Sequence, residues 1–378
     1  MIQAAYIHLP FCVHKCDFCD FAAFAGVQHF EREYCDILLE EIKQRVKQTK
    51  AQIKLDSIFY GGGTPSVVAL ENLDSIHSGL LNLVQCSKDA EITLESTPHS
   101  ITKEKCAFWR DLGINRISIG IESLSNDELK AIGRDHTVAQ AYDGIELACK
   151  ADFPVVSLDF MYSLPTQTLD SWQNTLNQFV ELATSNKQIK HVSAYGLELV
   201  GNSPLYSRFP KDCPSYPDDD TFNEMRQRLV ESLAKAGFEQ YEVSNFAKPG
   251  FACRHNLTYW RNAEYLAFGV GAHRYVDGVR SSNTKSLTRY IREPLSVDLF
   301  EPIDQTMRLK EGIMLGFRML KGINLVDFER EYGIDLFSNF EKPIKQLISQ
   351  GMLKLENGHL AIPQTRLSLS NSIIAEFM

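Results

Sequence analysis

From its start to about residue 245 the chain repeats one unit, a short apolar or alternating run followed by a longer stretch with helical spacing. The short runs fall at 4–9, 57–60, 91–95, 116–121, 155–161 and 192–199, and the helical stretches at 31–48, 70–84, 102–112, 138–150, 169–182 and 220–236. Period-2 or continuous apolar runs read as strands, and spacings of three and four read as helices. A strand always followed by a helix is joined to a parallel neighbour, because the helix carries the chain back to the edge where the strand began. The expectation is an α/β fold of six units, its parallel sheet either doubly wound or curved into a barrel. Chemically special residues fall at the carboxyl ends of several strands: Gly61-Gly62-Gly63-Thr64, Glu95, Glu122 and Asp159. Folds of this kind keep their sites there.

The pattern then changes. A Pro-rich, acidic stretch at 210–220 interrupts it, and the Gly- and aromatic-rich segment 241–275 does not read as regular structure. From 306 onward come compact helices and an amphipathic hairpin turning at Asn357-Gly358. Three regions are expected: 1–240, a connector at 241–300, and a small, mostly helical domain at 301–378 with a winged-helix shape. That shape is often used on DNA, yet residues 306–378 carry nine Lys/Arg against eight Asp/Glu, so no basic recognition face is visible. The whole chain has 39 basic and 48 acidic residues, a formal charge of −9, which disfavours phosphate-backbone binding. No nucleic-acid partner is expected.

Nine cysteines are an odd number in a chain of 378 residues, too long to need disulfide staples, and read as reduced thiols. The opening residues lack a basic segment followed by an apolar stretch, and nowhere is there an apolar run long enough to span a bilayer. A cytoplasmic protein with no transmembrane segment is expected.

Cys12-Val-His-Lys-Cys16-Asp-Phe-Cys19 has the spacing C-x3-C-x2-C directly after the first strand. Three thiolates on one short loop can converge on a polynuclear iron site, and a cubane of four irons held by three cysteines keeps one iron open to an outside ligand. The alternatives are a zinc site with His8 or His14 as fourth ligand, and unligated thiols. Zinc ligands usually come as C-x2-C pairs totalling four, so this spacing fits zinc poorly. The other six cysteines are scattered through helical patterns and read as core residues.

The run Tyr6-Ile-His8-Leu-Pro10-Phe11-Cys12-x3-Cys16-x-Phe18-Cys19 resembles the opening of the radical S-adenosylmethionine (SAM) enzymes, in the branch that contains oxygen-independent coproporphyrinogen III oxidase and the heme chaperones of the HemW type. The resemblance extends through Gly61-Gly-Gly-Thr-Pro65, Ile119-Gly-Ile-Glu-Ser123, Gly133-Arg134-Asp-His136, the run from Asp159 to Pro165 and that from Tyr241 to Pro249, so it covers essentially the whole chain. It implies a partial (β/α)6 barrel in which Cys12, Cys16 and Cys19 hold a [4Fe-4S] cluster and SAM chelates the fourth iron. Reduced cluster would cleave SAM to methionine and a 5′-deoxyadenosyl radical, chemistry that belongs to the cofactor.

Matched position by position, the resemblance assigns SAM contacts to Tyr6, Gly62, Gly63, Thr64, Glu95, Arg134 and Asp159, with Phe18 between the cluster ligands. The chemistry suits: glycines admit close backbone approach, Glu95 can accept from an ammonium, and Arg134 can pair with a carboxylate. Taken alone, Gly-Gly-Gly-Thr-Pro is also an ordinary turn, and it lacks the ending of a phosphate loop. The chain departs from the branch at Glu122, where Gln is usual, at Ser96-Thr97-Pro98 and at Arg274, where Ser is usual.

The decarboxylating oxidases of the branch carry a further cysteine two positions after the third ligand, and here that position is Phe21. Its absence favours the heme chaperones. Cys253-Arg-His255-Asn256-Leu-Thr-Tyr259-Trp260 matches the segment associated with heme binding in them: an imidazole can ligate heme iron, while Tyr and Trp offer flat apolar surfaces. Without the resemblance, His255 reads as a hydrogen-bonded core or turn residue. His29, His77, His191 and His359 carry no spacing signal and read as surface residues.

The leading expectation is a heme chaperone that carries a SAM-coordinated [4Fe-4S] cluster, with an electron donor and heme-acceptor proteins as partners. The alternatives are a radical SAM coproporphyrinogen III dehydrogenase (the oxygen-independent oxidase) and a cofactor-independent interaction protein. The sequence leaves open whether SAM is cleaved, whether heme is held covalently and whether the chain forms a homodimer.

Overall fold

The computed structural model describes every residue except 200, 202 and 212. Its centre is a nine-stranded sheet. Six strands run parallel in chain order: β1 (Ile2–Leu9), β2 (Ile53–Gly62), β3 (Gln85–Ser96), β4 (Arg116–Glu122), β5 (Val155–Tyr162) and β6 (Ile189–Gly196). Between and after them lie α1 (Glu31–Gln48), α2 (Leu70–Leu81), α3 (Lys103–Asp111), α4 (Val138–Lys150), α5 (Leu169–Ser185) and α6 (Asp219–Lys235). Side-chain caps start several of these helices: Thr102, Thr137, Thr168 and Asp218 each accept a backbone N–H of the first turn.

Period 2 in the strands divides the sheet into two chemically different faces. One set, including Ile7, Ile58, Leu94, Ile117, Ile119, Val156, Leu158 and Val192, is buried in the core beneath the helices. The alternate set, including Thr93, Glu95, Ser118, Ser157, Asp159 and Ser193, lines cavities on the opposite, concave face. The sheet does not close on itself. One edge is completed by Leu266–Phe268, parallel to β1, and the other by Asn245–Ala247 and Glu239–Gln240, both antiparallel. The architecture is therefore α/β, a partial barrel of six parallel strands plus a C-terminal domain.

The segment 241–275 departs from the sequence expectation in part, for nearly half of it is regular: Asn245–Ala247 and Leu266–Phe268 are strands of the central sheet, and residues Arg254–Trp260 form a helix, α7. Each strand is three residues long, too short for periodicity to register. Residues 273–302 add a three-stranded antiparallel sheet that the sequence pattern also hid. Arg274 is absorbed into packing here. Its Nη1 donates to Asn283 Oδ1 at 2.8 Å, and Asn283 in turn donates to buried Glu41, which also accepts from Gly269 N, Tyr290 and Arg45. Gly269 adopts φ +103°, and a Cβ there would meet the His8 carbonyl oxygen at 2.6 Å, so only glycine lets this edge strand lie against β1. His77 and His191 are buried rather than on the surface, each hydrogen-bonded to a tyrosine.

The C-terminal region has a separate core that includes Ile313, Phe317, Phe328, Ile344, Leu360 and Ile373. Its helices stand beside a small sheet in the order Ile323–Asn324, His359–Ala361, Lys354–Glu356, the winged-helix arrangement. Asn357 and Gly358 both have positive φ, as a type I′ hairpin turn demands. Among the described residues, no helix is long and apolar enough to cross a membrane.

Candidate functional site

All three loop cysteines line one cavity of about 350 Å³ at the carboxyl ends of the strands. The loop leaves β1 and is held at its first and second cysteines. Thr64 Oγ1 lies 3.6 Å from Cys12 Sγ, and Arg134 Nη1 donates to Cys16 Sγ at 3.1 Å. Burial raises the Cys12 thiol to about 11 against the opposing Thr64 hydrogen bond, and raises Cys16 against the pull of Arg134; Cys19 is raised by burial too. In this state the sulfurs hold protons, which metal ligation must displace. The three sulfurs face one cavity, and no fourth cysteine lines it to complete the four-ligand set usual for structural zinc. His8 is no spare zinc ligand: its ring nitrogens face the Tyr6 hydroxyl at 3.2 Å and the Ala22 carbonyl at 3.0 Å.

Opposite the cysteine loop, the end of β2 continues as bare backbone. Gly63 N donates to Leu9 O and Thr64 N to Phe11 O, docking this turn onto the loop. A Cβ on Gly62, at φ +115°, would come within 2.5 Å of the His8 ring, and one on Gly63 within 2.7 Å of the Pro10 backbone. Side chains are excluded at both positions, leaving peptide groups to face the cavity.

Three inward-lying carboxylates and one guanidinium set the field, the cavity's fourth carboxylate, Asp135, being exposed. Glu95 accepts from Gly62 N at 3.1 Å; burial, with repulsion from Asp159 and Glu122, pushes its carboxyl up to about 8. Burial also raises Glu122 to about 7, opposed by Arg134, whose Nη2 lies 3.8 Å away. Asp159 is raised by burial while hydroxyls of Ser118 and Ser157 donate to it. Glu122 sits at φ +63° beside a register shift between β4 and β5, a conformation that costs about 1–3 kcal/mol in a residue other than glycine. Arg134 Nη2 also donates to Gly120 O at 2.6 Å, which fixes the guanidinium between β4 and Cys16. Phe18 lines the same cavity.

A second cavity of about 300 Å³ adjoins the first, the two sharing Phe21, Gly62, Glu95, Ser118, Asp159 and Tyr195 along their walls. Tyr6, His255, Asn256 and Tyr259 face this second space, not the one beside the cysteines. On α7, residues four apart share a face, so His255 and Tyr259 point together: Tyr259 OH lies 2.7 Å from His255 Nε2, and Ser57 Oγ lies 3.1 Å from Nδ1. The imidazole stacks on Phe59 at 5.1 Å, and burial lowers it to about 3, so it is neutral. Trp260 is half-buried and lines neither cavity. Cys253 Sγ donates to Glu91 and faces the same space as His255.

Attention to strand ends alone missed Arg116, Ser118, Ser157, His191, Ser193 and Tyr195, all on cavity walls. The signal was present, since 116 and 118, 157 and 159, and 191, 193 and 195 repeat every second residue along otherwise apolar strands.

The chain matches the Radical SAM superfamily over residues 6–179 and the HemN C-terminal domain over residues 303–365. It is 31% identical over 378 residues to a Lactococcus lactis protein named heme chaperone HemW, covering 100% of this chain and 97% of that one. To the heme chaperone HemW of Haemophilus influenzae it is 36% identical over 340 residues, 87% of this chain and 86% of that one. Among solved structures, coproporphyrinogen III oxidase (HemN) of Escherichia coli, described as a radical SAM enzyme, superposes with a TM-score of 0.84 at 20% identity, over 100% of this chain and 90% of that one, a likeness of fold. With such relatives along its whole length, the chain belongs to the heme chaperone HemW family of radical SAM proteins.

Proposed function

We propose that the chain is a heme chaperone that carries a SAM-coordinated [4Fe-4S] cluster and hands heme to acceptor hemoproteins. The observation that carries this reading is the pair of adjoining cavities: one presents three thiols beside a glycine-lined turn, the other presents His255 and Tyr259 from one helix face. Its full-length relatives are named heme chaperones, and Phe21 occupies the place of the oxidases' further cysteine.

Cys12, Cys16 and Cys19 are the cluster ligands in this proposal, and the bound group supplies redox chemistry at an iron left open to SAM. Arg134 pairs with the SAM carboxylate, Glu95 accepts from its ammonium, Gly62, Gly63 and Thr64 give it backbone contact, and Glu122 and Asp159 accept from its hydroxyls. Tyr6 and Phe18 shape the walls. In the second cavity, His255 holds heme through Nε2 after the Tyr259 hydroxyl withdraws, while Ser57 keeps the proton on Nδ1 and so fixes the useful tautomer. Asn256 and Tyr259 flank the bound porphyrin there, whereas Trp260 lies outside that cavity and is no part of the proposed site. The nine unpaired cysteines suit a reducing, cytoplasmic setting in which an electron donor reaches the cluster.

Anaerobically reconstituted chain is expected to bind heme stoichiometrically, to pass it to an apo-hemoprotein, and to make no protoporphyrinogen from coproporphyrinogen. Turnover of coproporphyrinogen with accumulating 5′-deoxyadenosine overturns the proposal in favour of the oxidase. Replacing His255 with Ala is expected to weaken heme binding at least tenfold while iron in the cluster is unchanged; equal heme affinity in optical titration removes His255 as the ligand.

A further inference from the structure

Among the described residues, one trio of potential ligands brings its donor atoms within 4.8 Å of one another: His99, Asp135 and His136. His99 comes from the turn after β3, and the other two from the loop that follows Arg134. They belong to neither of the two groups described above. His136 is 4% exposed; its ring has a weak contact with the Ile121 carbonyl and no well-formed hydrogen bond at either nitrogen. His99 Nδ1 is also without a partner, and its Nε2 stands 3.6 Å from Asp135 Oδ2. Buried imidazole nitrogens are rarely left unsatisfied, and each one needs an account. His99 and Asp135 both line the cavity of the cysteine loop, so a small ion has an entry path.

We propose that His99, Asp135 and His136 form a second metal site, for a divalent ion of the zinc type, on the wall of the cysteine-lined cavity. Two imidazoles and one carboxylate are the donor set of borderline transition ions, whereas calcium and magnesium call for a shell of oxygens. Bonds of about 2.0–2.2 Å place tetrahedral donors about 3.4 Å apart, so the present spread closes by small side-chain rotations. Arg134, next in the chain, is the one local argument against a cation. Its charge is turned toward Glu122, Gly120 O and Cys16, which leaves coordination bonds to outweigh the residual repulsion. An ion there ties the turn after β3 to the loop that carries Arg134, and thereby holds Arg134 against Cys16. The site stands on its own residues and does not depend on the heme-chaperone reading.

The test uses cluster-loaded chain, in which the three cysteines are already occupied, titrated with Co²⁺ and with Zn²⁺ under anaerobic conditions. The expected result is one equivalent bound beyond the cluster iron, with Co²⁺ d–d absorption and no thiolate-to-cobalt charge-transfer band. His136→Ala, His99→Ala and Asp135→Ala are each expected to lower affinity at least tenfold with cluster iron unchanged. His99 and Asp135 are partly exposed, so their variants keep the test decisive if His136→Ala fails to fold. No binding beyond the cluster, a thiolate band, or affinity unmoved by the His99 and Asp135 substitutions overturns the proposal. None of these results bears on heme transfer.

Discussion

Replacing any one of Cys12, Cys16 or Cys19 with serine is expected to cut the iron bound after anaerobic reconstitution from about four atoms per chain to near zero. The reason is geometric. The three sulfurs line one cavity from one short loop, and no other cysteine lies on that wall to substitute for a missing one. Of the remaining six, Cys35, Cys106 and Cys149 are buried in the core beneath the helices, and Cys253 faces the adjoining cavity, where Glu91 engages it. A cubane held at two corners exposes two irons to water and to chelation. At position 16 the serine hydroxyl can still accept from Arg134 Nη1, so the guanidinium stays anchored to Gly120 O and Glu122 and the loss of iron reports ligation alone. Loss of the SAM-responsive EPR signal should follow the loss of iron in all three variants, with the far-UV circular dichroism of the chain retained. Full iron content in the three variants contradicts the ligation.

How much of this was readable from residues alone varies with the length of the signal. The six parallel strands and their helices follow from patterns that persist for many residues, and α1 (Glu31–Gln48) and α4 (Val138–Lys150) coincide with the spans that spacing indicates. The strands Asn245–Ala247 and Leu266–Phe268 are three residues each, and their place in the sheet is set by distant partners, β6 and β1, which local pattern cannot name. The cysteine loop is legible because its spacing is itself the geometry. The separation of Tyr6 from the cysteine-lined space is not, for it depends on which way one residue of β1 faces after the sheet has curved.

Hydrogen bonding explains a further gap. His255 is a ligand candidate only through the family resemblance and by itself reads as a hydrogen-bonded core or turn residue; in the structure it is buried and both its ring nitrogens are engaged, by Ser57 and Tyr259. Ser57 lies 198 residues away on β2, so nothing near His255 in sequence announces it. Polar residues that face the concave side, such as Arg116, are similarly invisible to a search of strand ends. Arg116 is 2% exposed, held by Glu91 at 3.4 Å and by the Phe251 carbonyl, and its burial is tolerated because that carboxylate accompanies it.

Exchanging Glu95 for Gln is expected to stabilise the cofactor-free chain at high pH and to weaken its hold on SAM. The folded carboxyl is pushed up to about 8 from an ordinary value near 4.5, chiefly by burial and then by Asp159. Between those values the folded chain keeps a proton that the unfolded chain has released. Stability is therefore full below about pH 4.5, declines as pH rises toward 8, and levels off above it. Each tenfold difference in proton affinity between the folded and unfolded chain corresponds to about 1.4 kcal/mol, and because Glu95 lines a cavity that admits water, the penalty above pH 8 is about 2–4 kcal/mol. Gln keeps the size of the side chain and an oxygen for Gly62 N, so the variant escapes the penalty at little packing cost. The gap in Tm between variant and parent should thus open from near zero at pH 4.5 to its full size at pH 9. Glu122, raised to about 7 by burial, repels Glu95 and so contributes to the same difference once both carboxyls ionise. In the reconstituted chain the same exchange removes the charge proposed to meet the SAM ammonium, a charge-assisted hydrogen bond of about 1.5–3 kcal/mol, or roughly 10- to 100-fold in affinity. A pH-independent Tm gap denies that Glu95 is held protonated, and unchanged SAM affinity in equilibrium dialysis denies its contact with the ligand. Opposite signs for the two readouts are what a carboxylate kept for binding rather than for folding requires.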